Sequence, residues 1–339
     1  MKSQLEAIII GPGRMGSNYG RVLKQDPRIK IVAVCGRSLE KTQRLSKELN
    51  CKGFAGEKHD EALKLFSAKA QKLVVIATSE WQHLKPLQLS LKAQAAIILE
   101  KPLLGNYEEF LQVKNELLSH QHPILPCFTS RFDPKYSKAH EIVTQNNMKA
   151  VTIHSRRNTD FETASRVFGK INWPYWIAGH DIDLVRWFTL SEVSSVRAAS
   201  RYNDNFNHKK DYLQIELCMK NGTRAFIESS WFLPPLAGPI DQSEFRFQSE
   251  TSIISISNSP STVWNTPSKI SESLFDDFHY QNGRYVGNTS NMIHHFVDVI
   301  FGQALPIIGL KDGINSLLAS EAILRSLRFE KVISMDEFI

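Results

Sequence analysis

The chain has 339 residues, of which 42% are hydrophobic and 22% charged, with 17 Gly and 14 Pro. This is the composition of a folded globular protein; it excludes collagen-like, coiled-coil and disordered classes, and the length suits about two domains of roughly 150 residues. Forty-one Lys and Arg against 35 Asp and Glu leave a net charge of +6, but the cations are scattered with no run of five, so the sequence predicts no nucleic-acid surface.

No apolar segment reaches the roughly 18 residues of a membrane span. The short apolar stretch near the N-terminus runs into a glycine loop, which is unlike a signal sequence. Cys35, Cys51, Cys127 and Cys218 are widely spaced and form no CxxC pair. That pattern predicts reduced thiols in a cytoplasmic protein, with no disulfide framework and no zinc site.

From the N-terminus, short apolar runs alternate with amphipathic stretches. AIIIG (7–11) predicts a buried strand, followed by a helix to about residue 24. IKIVAVCG (29–36) predicts a second strand and LEKTQRLSKELN (39–50) a polar-faced helix. KLVVIAT (72–78), a helix around 83–93, AAIILEKP (95–102), a helix around 107–119 and PILPCF (123–128) continue the alternation. Continuous Val/Ile/Leu strands separated by helices are the sequence form of a parallel sheet covered on both faces. Right-handed crossovers make such a sheet doubly wound.

Beyond about residue 130 the pattern changes. AVTIHSRR (150–157), DYLQIELCMK (211–220), TRAFIESSW (223–231) and SIISIS (252–257) alternate in polarity and predict an open, mainly antiparallel sheet with one solvated or partner-covered face. HDIDLVRWF (180–188) and stretches near 289–301 and 311–328 read as helices, and LPPLAGPIDQS (233–243) as a surface loop. The predicted fold class is α/β plus α+β: a doubly wound dinucleotide-binding domain over 1–128, then an α+β substrate and oligomerisation domain over 129–339. The final helices belong to the second domain or pack back on the first.

Gly11-Pro12-Gly13-Arg14-Met15-Gly16 matches GxGxxG between a predicted strand and a predicted helix, the context of a dinucleotide loop. Gly11 suits a tight turn, Gly13 the close approach of a pyrophosphate, and Gly16 close packing of helix on sheet. The helix N-terminus faces the anion. Arg14 and Met15 complete the cofactor loop. An NAD site places an acid at the end of the second strand for the ribose hydroxyls. Here the strand ends Cys35-Gly36-Arg37-Ser38. Arg37 and Ser38 suit a 2′-phosphate, so NADP(H) is expected ahead of NAD(H); the alternative is an Arg37 that stacks on the adenine or is simply solvated.

Six stretches occur in the order and spacing of one family: AIIIGPGRMG, IATSEWQH (76–83), Glu100-Lys101-Pro102, FTSRFDP (128–134), GHDIDLVRW (179–187) and the C-terminal HHFVDVIFGQALPIIGLKDGINSLLASEAILRSLR. Through them the chain resembles, over almost its whole length, the Gfo/Idh/MocA oxidoreductases, whose members include glucose–fructose oxidoreductase and inositol dehydrogenase. The resemblance implies a Rossmann domain, Lys101 beside the nicotinamide with Glu100 in support, and Thr78 and His83 lining the nicotinamide half of the site. It also puts His180 at the family's catalytic histidine position. The residue types agree. A Lys at the C-terminal end of a parallel strand stands where such sheets bind ligands. A His at a helix N-terminus is kept neutral and able to take a proton from a hydroxyl.

The sequence departs from the family where an acid precedes that histidine by four residues: here the position is Trp176. A Trp stacks on a sugar face or a nicotinamide ring but relays no proton. Three outcomes follow: Lys101 and His180 suffice, another acid substitutes, or the protein binds without efficient turnover. Arg131 suits either the domain junction or an anionic substrate. Arg156, Arg157 and Asn158 end the first strand of the second domain and are candidate substrate contacts. Asp181 and Asp183 read as capping and helix–loop residues, and Trp173, Tyr175 and Trp176 either line the site or pack. His294 and His295 point about 100° apart on a helix, and no metal is expected.

The expected function is an NAD(P)-dependent dehydrogenase or reductase. Hydride passes between nicotinamide and a secondary alcohol or ketone of a sugar, polyol or nucleotide-sugar. Lys101 and His180 are catalytic, and Arg131, Asn158, Trp176 and His180 contact substrate. The alternative is a dinucleotide-binding sensor or assembly protein with lost or weak catalysis. The expected partners are a carbohydrate-like small molecule and, by resemblance, further copies of the chain in a dimer or tetramer built on the second sheet. No nucleic acid and no membrane are expected.

Overall fold

The computed structural model describes residues 4–160, 165–167, 169–203, 209–233, 241–257, 263–266, 269–272 and 278–338. Most of the surface loop expected over 233–243 lies at 234–240, outside the described residues. The chain forms two compact units. The first comprises residues 1–132 with 275–314, the second 133–274 with 315–339.

In the first unit, β1 (Leu5–Ile10), β2 (Ile29–Gly36), β3 (Lys52–Ala55), β4 (Lys72–Ile76), β5 (Ala96–Leu99) and β6 (Ile124–Pro126) form one sheet in the order β3-β2-β1-β4-β5-β6. Every pairing is parallel. All residues of β1 and β5 are buried, as both-face coverage requires. The helices between them are α1 (Arg14–Gln25), α2 (Leu39–Leu49), α3 (His59–Leu63), α4 (Leu84–Lys92) and α5 (Tyr107–Ser119). Local chemistry sets their starts: the Asn106 side chain accepts from Glu109 N at 2.8 Å to cap α5. The strand order reverses between β1 and β4, which is the switch point where doubly wound sheets bind ligands. The reading from sequence passed over β3 and α3, whose four and five residues carry little apolar pattern.

In the second unit, α6 (Pro134–Gln145) is started by the Asp133 cap and by proline at its first position. Then come β7 (Thr152–Asp160), α7 (Gly179–Thr189), β8 (Val193–Asn203), β9 (Lys209–Met219), β10 (Arg224–Leu233), β11 (Asp241–Gln248) and β12 (Ile253–Ser257). Hairpin β13–β14 (Val263–Thr266, Lys269–Glu272) follows; hairpin β15–β16 (His279–Gln281, Arg284–Val286) and α8 (Asn288–Ile300) fall in the first unit, and α9 (Leu310–Phe329) and β17 (Ile333–Ser334) come last. A seven-stranded sheet runs β12-β11-β7-β10-β9-β8-β17, antiparallel except for the parallel β7–β10 pair. Burial alternates along it: Ile153, Ser155 and Arg157 are buried while His154 and Arg156 are exposed. The buried face carries Phe245, which meets Tyr136 of α6 and Phe188 of α7 with ring centroids 5.8 and 4.7 Å apart.

The first of the two C-terminal helices, α8, belongs to the first unit. Its Met292, Ile293 and Phe296 are fully buried, and Phe296 packs edge-on against Phe132 at 5.6 Å. Among the described residues no helix is long and apolar enough to cross a membrane.

Candidate active site

The glycine loop joins β1 to α1. Gly11 has φ +104°, a conformation that L side chains rarely adopt, and a Cβ there would overlap the Ala77 carbonyl. A Cβ on Gly16 would overlap the Gly11 carbonyl, so the helix reaches the loop only without a side chain at that position. Gly13 differs: a Cβ there would meet nothing within 4 Å. It also begins α1 with no side-chain cap and no acid in the first turn. Backbone N–H groups beside open space at an uncapped helix start fit a diphosphate, so the loop fits a dinucleotide. Arg14 is exposed beside it, and Met15 is half-buried against the core.

At the end of β2, Arg37 is exposed and pairs with no acid among the described residues. The Ser38 hydroxyl caps α2, accepting from Lys41 N at 3.3 Å, and keeps its own O–H to donate. At the end of β4, the Thr78 hydroxyl donates to Gln82 O at 3.1 Å. His83 is fully buried, with Nδ1 2.8 Å from Pro102 O. Burial holds its pKa below the usual imidazole value, so the ring is neutral and Nδ1–H donates to that carbonyl. The structure thus places His83 as a brace beneath the turn carrying Lys101.

That turn follows β5. Lys101 and Glu100 are half-buried, and the Lys101–Pro102 peptide is cis. The Tyr19 hydroxyl donates to Glu100 Oε1, and Lys101 N donates to Glu100 Oε2 at 3.2 Å. Burial pushes the Glu100 carboxyl up, opposed by the Tyr19 hydrogen bond and by Lys101. Burial beside Cys127 and Glu100 pushes the Tyr19 hydroxyl well up, and burial pushes the Cys127 thiol well up too. Tyr19 and Cys127 are the members of this cluster that sequence reasoning missed. The one available signal was a hydroxyl-bearing ring on the buried face of α1.

In the second unit, α7 begins from a π-helical turn, Pro174–Ala178. Ser316 and Ser320 of α9 fasten this turn, donating to Gly179 O at 3.3 Å and Pro174 O at 3.1 Å. His180 is the second residue of α7 and half-exposed. Asp181, expected to cap a helix, instead ties α7 to β7: it accepts from Ser155 Oγ at 2.7 Å and from Arg157 Nε at 3.0 Å, at 1% exposure. Its side chain is drawn inward because a buried guanidinium needs a carboxylate. Arg157 is thus a structural partner of α7. Asp183 is fully buried, 3.9 Å from Arg186. Arg156 lies on the exposed sheet face, 3.3 Å from Glu228 and 3.7 Å from Glu244.

Asn158 is buried and accepts from Ser230 Oγ at 2.6 Å. Trp176 is also buried, packed near Trp231 (centroids 6.1 Å apart) with the Arg166 guanidinium 5.9 Å above its ring. Trp173 joins the same cluster, 3.7 Å from Trp231, and its Nε1 donates to Ser229 Oγ at 2.9 Å. Arg131, in the first unit, donates to Ile307 O at 2.8 Å and Asp312 Oδ1 at 3.0 Å while only 4% exposed. Those bonds fasten the 275–314 segment. His295 Nε2 accepts from Ile307 N at 3.2 Å in the same fastening. No three His, Cys, Asp or Glu side chains cluster as metal ligands among the described residues.

Residues 5–125 match the model of an oxidoreductase family with an NAD-binding Rossmann fold, and 172–249 match that family's GFO/IDH/MocA C-terminal domain. The chain is similar to the uncharacterized oxidoreductase YrbE of Bacillus subtilis, 22% identical over 99% of this chain and 98% of that one. It is 28% identical to inositol 2-dehydrogenase 1 of Paenarthrobacter aurescens over 58% of each chain. Its fold is similar to that of scyllo-inositol dehydrogenase from Lactobacillus casei, solved with NAD(H) and scyllo-inositol, with TM-score 0.79 and 17% identity over 98% of this chain and 99% of that one. A glycine loop open at Gly13, a lysine turn on the neighbouring strand ends and both domain matches lead to one assignment: the chain belongs to the Gfo/Idh/MocA family of NAD-binding oxidoreductases.

Proposed function

We propose that the protein is a dehydrogenase or reductase that moves hydride between nicotinamide and a secondary alcohol or ketone of a sugar or cyclic polyol. The observation that carries this reading is the convergence of Gly11, Thr78 and Lys101 on the C-terminal ends of the adjacent strands β1, β4 and β5. The dinucleotide is held by Gly11, Gly13 and Gly16 with the N-terminus of α1, and its nicotinamide supplies the hydride chemistry. Lys101 polarises the substrate oxygen, and His180 holds the proton that leaves or returns to it. The inositol dehydrogenases among the relatives support a cyclic polyol as substrate.

Three finer readings belong to the same proposal. Arg37, exposed and without an acidic partner among the described residues, supports NADP(H) over NAD(H). The exposed sheet face, where Arg156 meets Glu228 and Glu244 and Arg224 meets Glu216 at 2.8 Å, suits self-association into a dimer or tetramer. Four free cysteines suit a reducing, cytoplasmic setting.

The test follows nicotinamide absorbance with myo-inositol, scyllo-inositol and a panel of sugars and nucleotide-sugars, using NAD⁺ and NADP⁺. Turnover should fall about 100-fold or more in Lys101→Met and in His180→Ala. Arg37→Ala should weaken NADPH binding about tenfold or more and leave NADH unaffected. Tight dinucleotide binding with no turnover by any compound would favour a sensor, a reading kept in view by Trp176. Turnover indifferent to both catalytic substitutions would overturn the assignment of Lys101 and His180.

A further inference from the structure

We propose that Tyr19 is a positioning residue for Lys101: its hydroxyl fixes Glu100, whose second oxygen holds the Lys101 backbone N–H, so the dinucleotide-binding helix sets the place of the catalytic lysine. This rests on the assignment of Lys101 made above.

Tyr19 is fully buried in α1, and a buried phenol requires a partner for its O–H. Here the hydroxyl donates to the carboxylate adjacent to Lys101. Glu100 divides its two oxygens, Oε1 to Tyr19 and Oε2 to Lys101 N. A buried carboxylate is held ionised only by such donors and by positive charge close by. Without the Tyr19 O–H, Glu100 passes more readily to the neutral acid, and Lys101 loses both a neighbouring anion and the anchor on its backbone. Tyr19 also stands in the helix that Gly13 begins, so one rigid element carries the diphosphate end at its start and the hydroxyl at its sixth residue. The turn holding Lys101 is thereby registered to the bound dinucleotide. His83 braces the same turn from Pro102 and leaves Glu100 to Tyr19.

The test needs no turnover. Lys101 in the full-length chain is labelled with acetic anhydride across a pH series and quantified by mass spectrometry, with the exposed Lys138 as internal reference. In Tyr19→Phe the Lys101 labelling curve should move to lower pH, because the neighbouring anion is weakened. NADH and NADPH affinity, read by fluorescence, should stay within about twofold, since the loop is untouched. Glu100→Gln should reproduce the shift, and adding Tyr19→Phe to it should add nothing. With a turned-over polyol, kcat should fall about 10- to 100-fold with cofactor KM unchanged. If Tyr19→Phe yields no folded protein, Glu100→Gln carries the labelling test by itself. A labelling curve for Tyr19→Phe, or for Glu100→Gln in its place, that superimposes on wild type overturns the proposal. A normal shift in a chain that turns over no polyol counts against the dehydrogenase reading alone.

Discussion

Substituting Asp181 by Ala tests whether the helix bearing His180 is held by a buried ion pair. Asp181 is 1% exposed and accepts from Ser155 Oγ and Arg157 Nε at 2.7 and 3.0 Å. Arg157 is itself 5% exposed, so Asp181→Ala leaves a guanidinium buried without the carboxylate it faces. Removing one partner of a buried pair costs about 3–5 kcal/mol, and a lost buried hydroxyl bond adds about 1 kcal/mol. Bodies of this size lose roughly 2–4 °C of Tm per kcal/mol. The variant should therefore melt about 10 °C or more below wild type by circular dichroism. Arg157→Met in the Asp181→Ala background should recover much of the loss, because the buried charge that faced Asp181 is gone. His180→Ala, at a half-exposed position, should stay within about 1 kcal/mol of wild type. A single variant as stable as wild type, or a double variant no better than the single, would refute the clamp.

Two glycines of the loop should separate stability from binding. Gly16→Ala forces a Cβ into the Gly11 carbonyl and should lower both stability, by about 1–3 kcal/mol, and dinucleotide affinity. Gly13→Ala meets nothing in the free protein, so its melting temperature should hold while fluorescence titration shows weakened NADPH binding; undiminished binding would exclude a diphosphate at that place. Cys35 is fully buried, and burial pushes its thiol up to about 11 from a usual 9. Because the folded value lies above the unfolded one, its contribution is fully present below about pH 9 and is lost as pH rises toward about 11. That loss is on the order of 2–3 kcal/mol. Urea melts of Cys35→Ala should accordingly show a shallower decline over that range than wild type, and equal slopes would count against it.

The parts legible in the sequence are those written in adjacent residues. The six-residue glycine loop shows itself because Gly11 and Gly16 answer to backbone geometry a few residues away. The apolar runs of β1, β4 and β5 show because both faces are buried. Strand β8 was not legible: VSSVRAASRYN has no large apolar residue until its end, and it is a strand because β9 pairs with its whole length. Tyr19 and Glu100 are 81 positions apart, Arg157 and Asp181 are 24 apart, and Arg131 and Asp312 are 181 apart. No local pattern records such pairings; they exist only once the strands have placed their ends together. Cys127, which carried no signal of a role in the sequence, acquires a neighbourhood from being the residue after β6 beside Tyr19 and Glu100.

The same distances explain why the tryptophan at position 176 need not spoil the rest of the chemistry. Tyr19, Glu100 and His83, which hold the turn of Lys101, all lie in the first unit. The turn bearing Trp176 is fixed instead by Ser316, Ser320 and the neighbouring tryptophans, and α7 by Asp181 with Arg157. An acid at position 176 would sit in that aromatic cluster beside Arg166; the tryptophan gives the same cation a ring face and supplies no proton. On the proposed assignment, the tryptophan therefore bears on proton handling by His180. Dinucleotide binding and Lys101 labelling should be the same in Trp176→Asp as in wild type, and any gain from that variant should appear in the pH dependence of turnover.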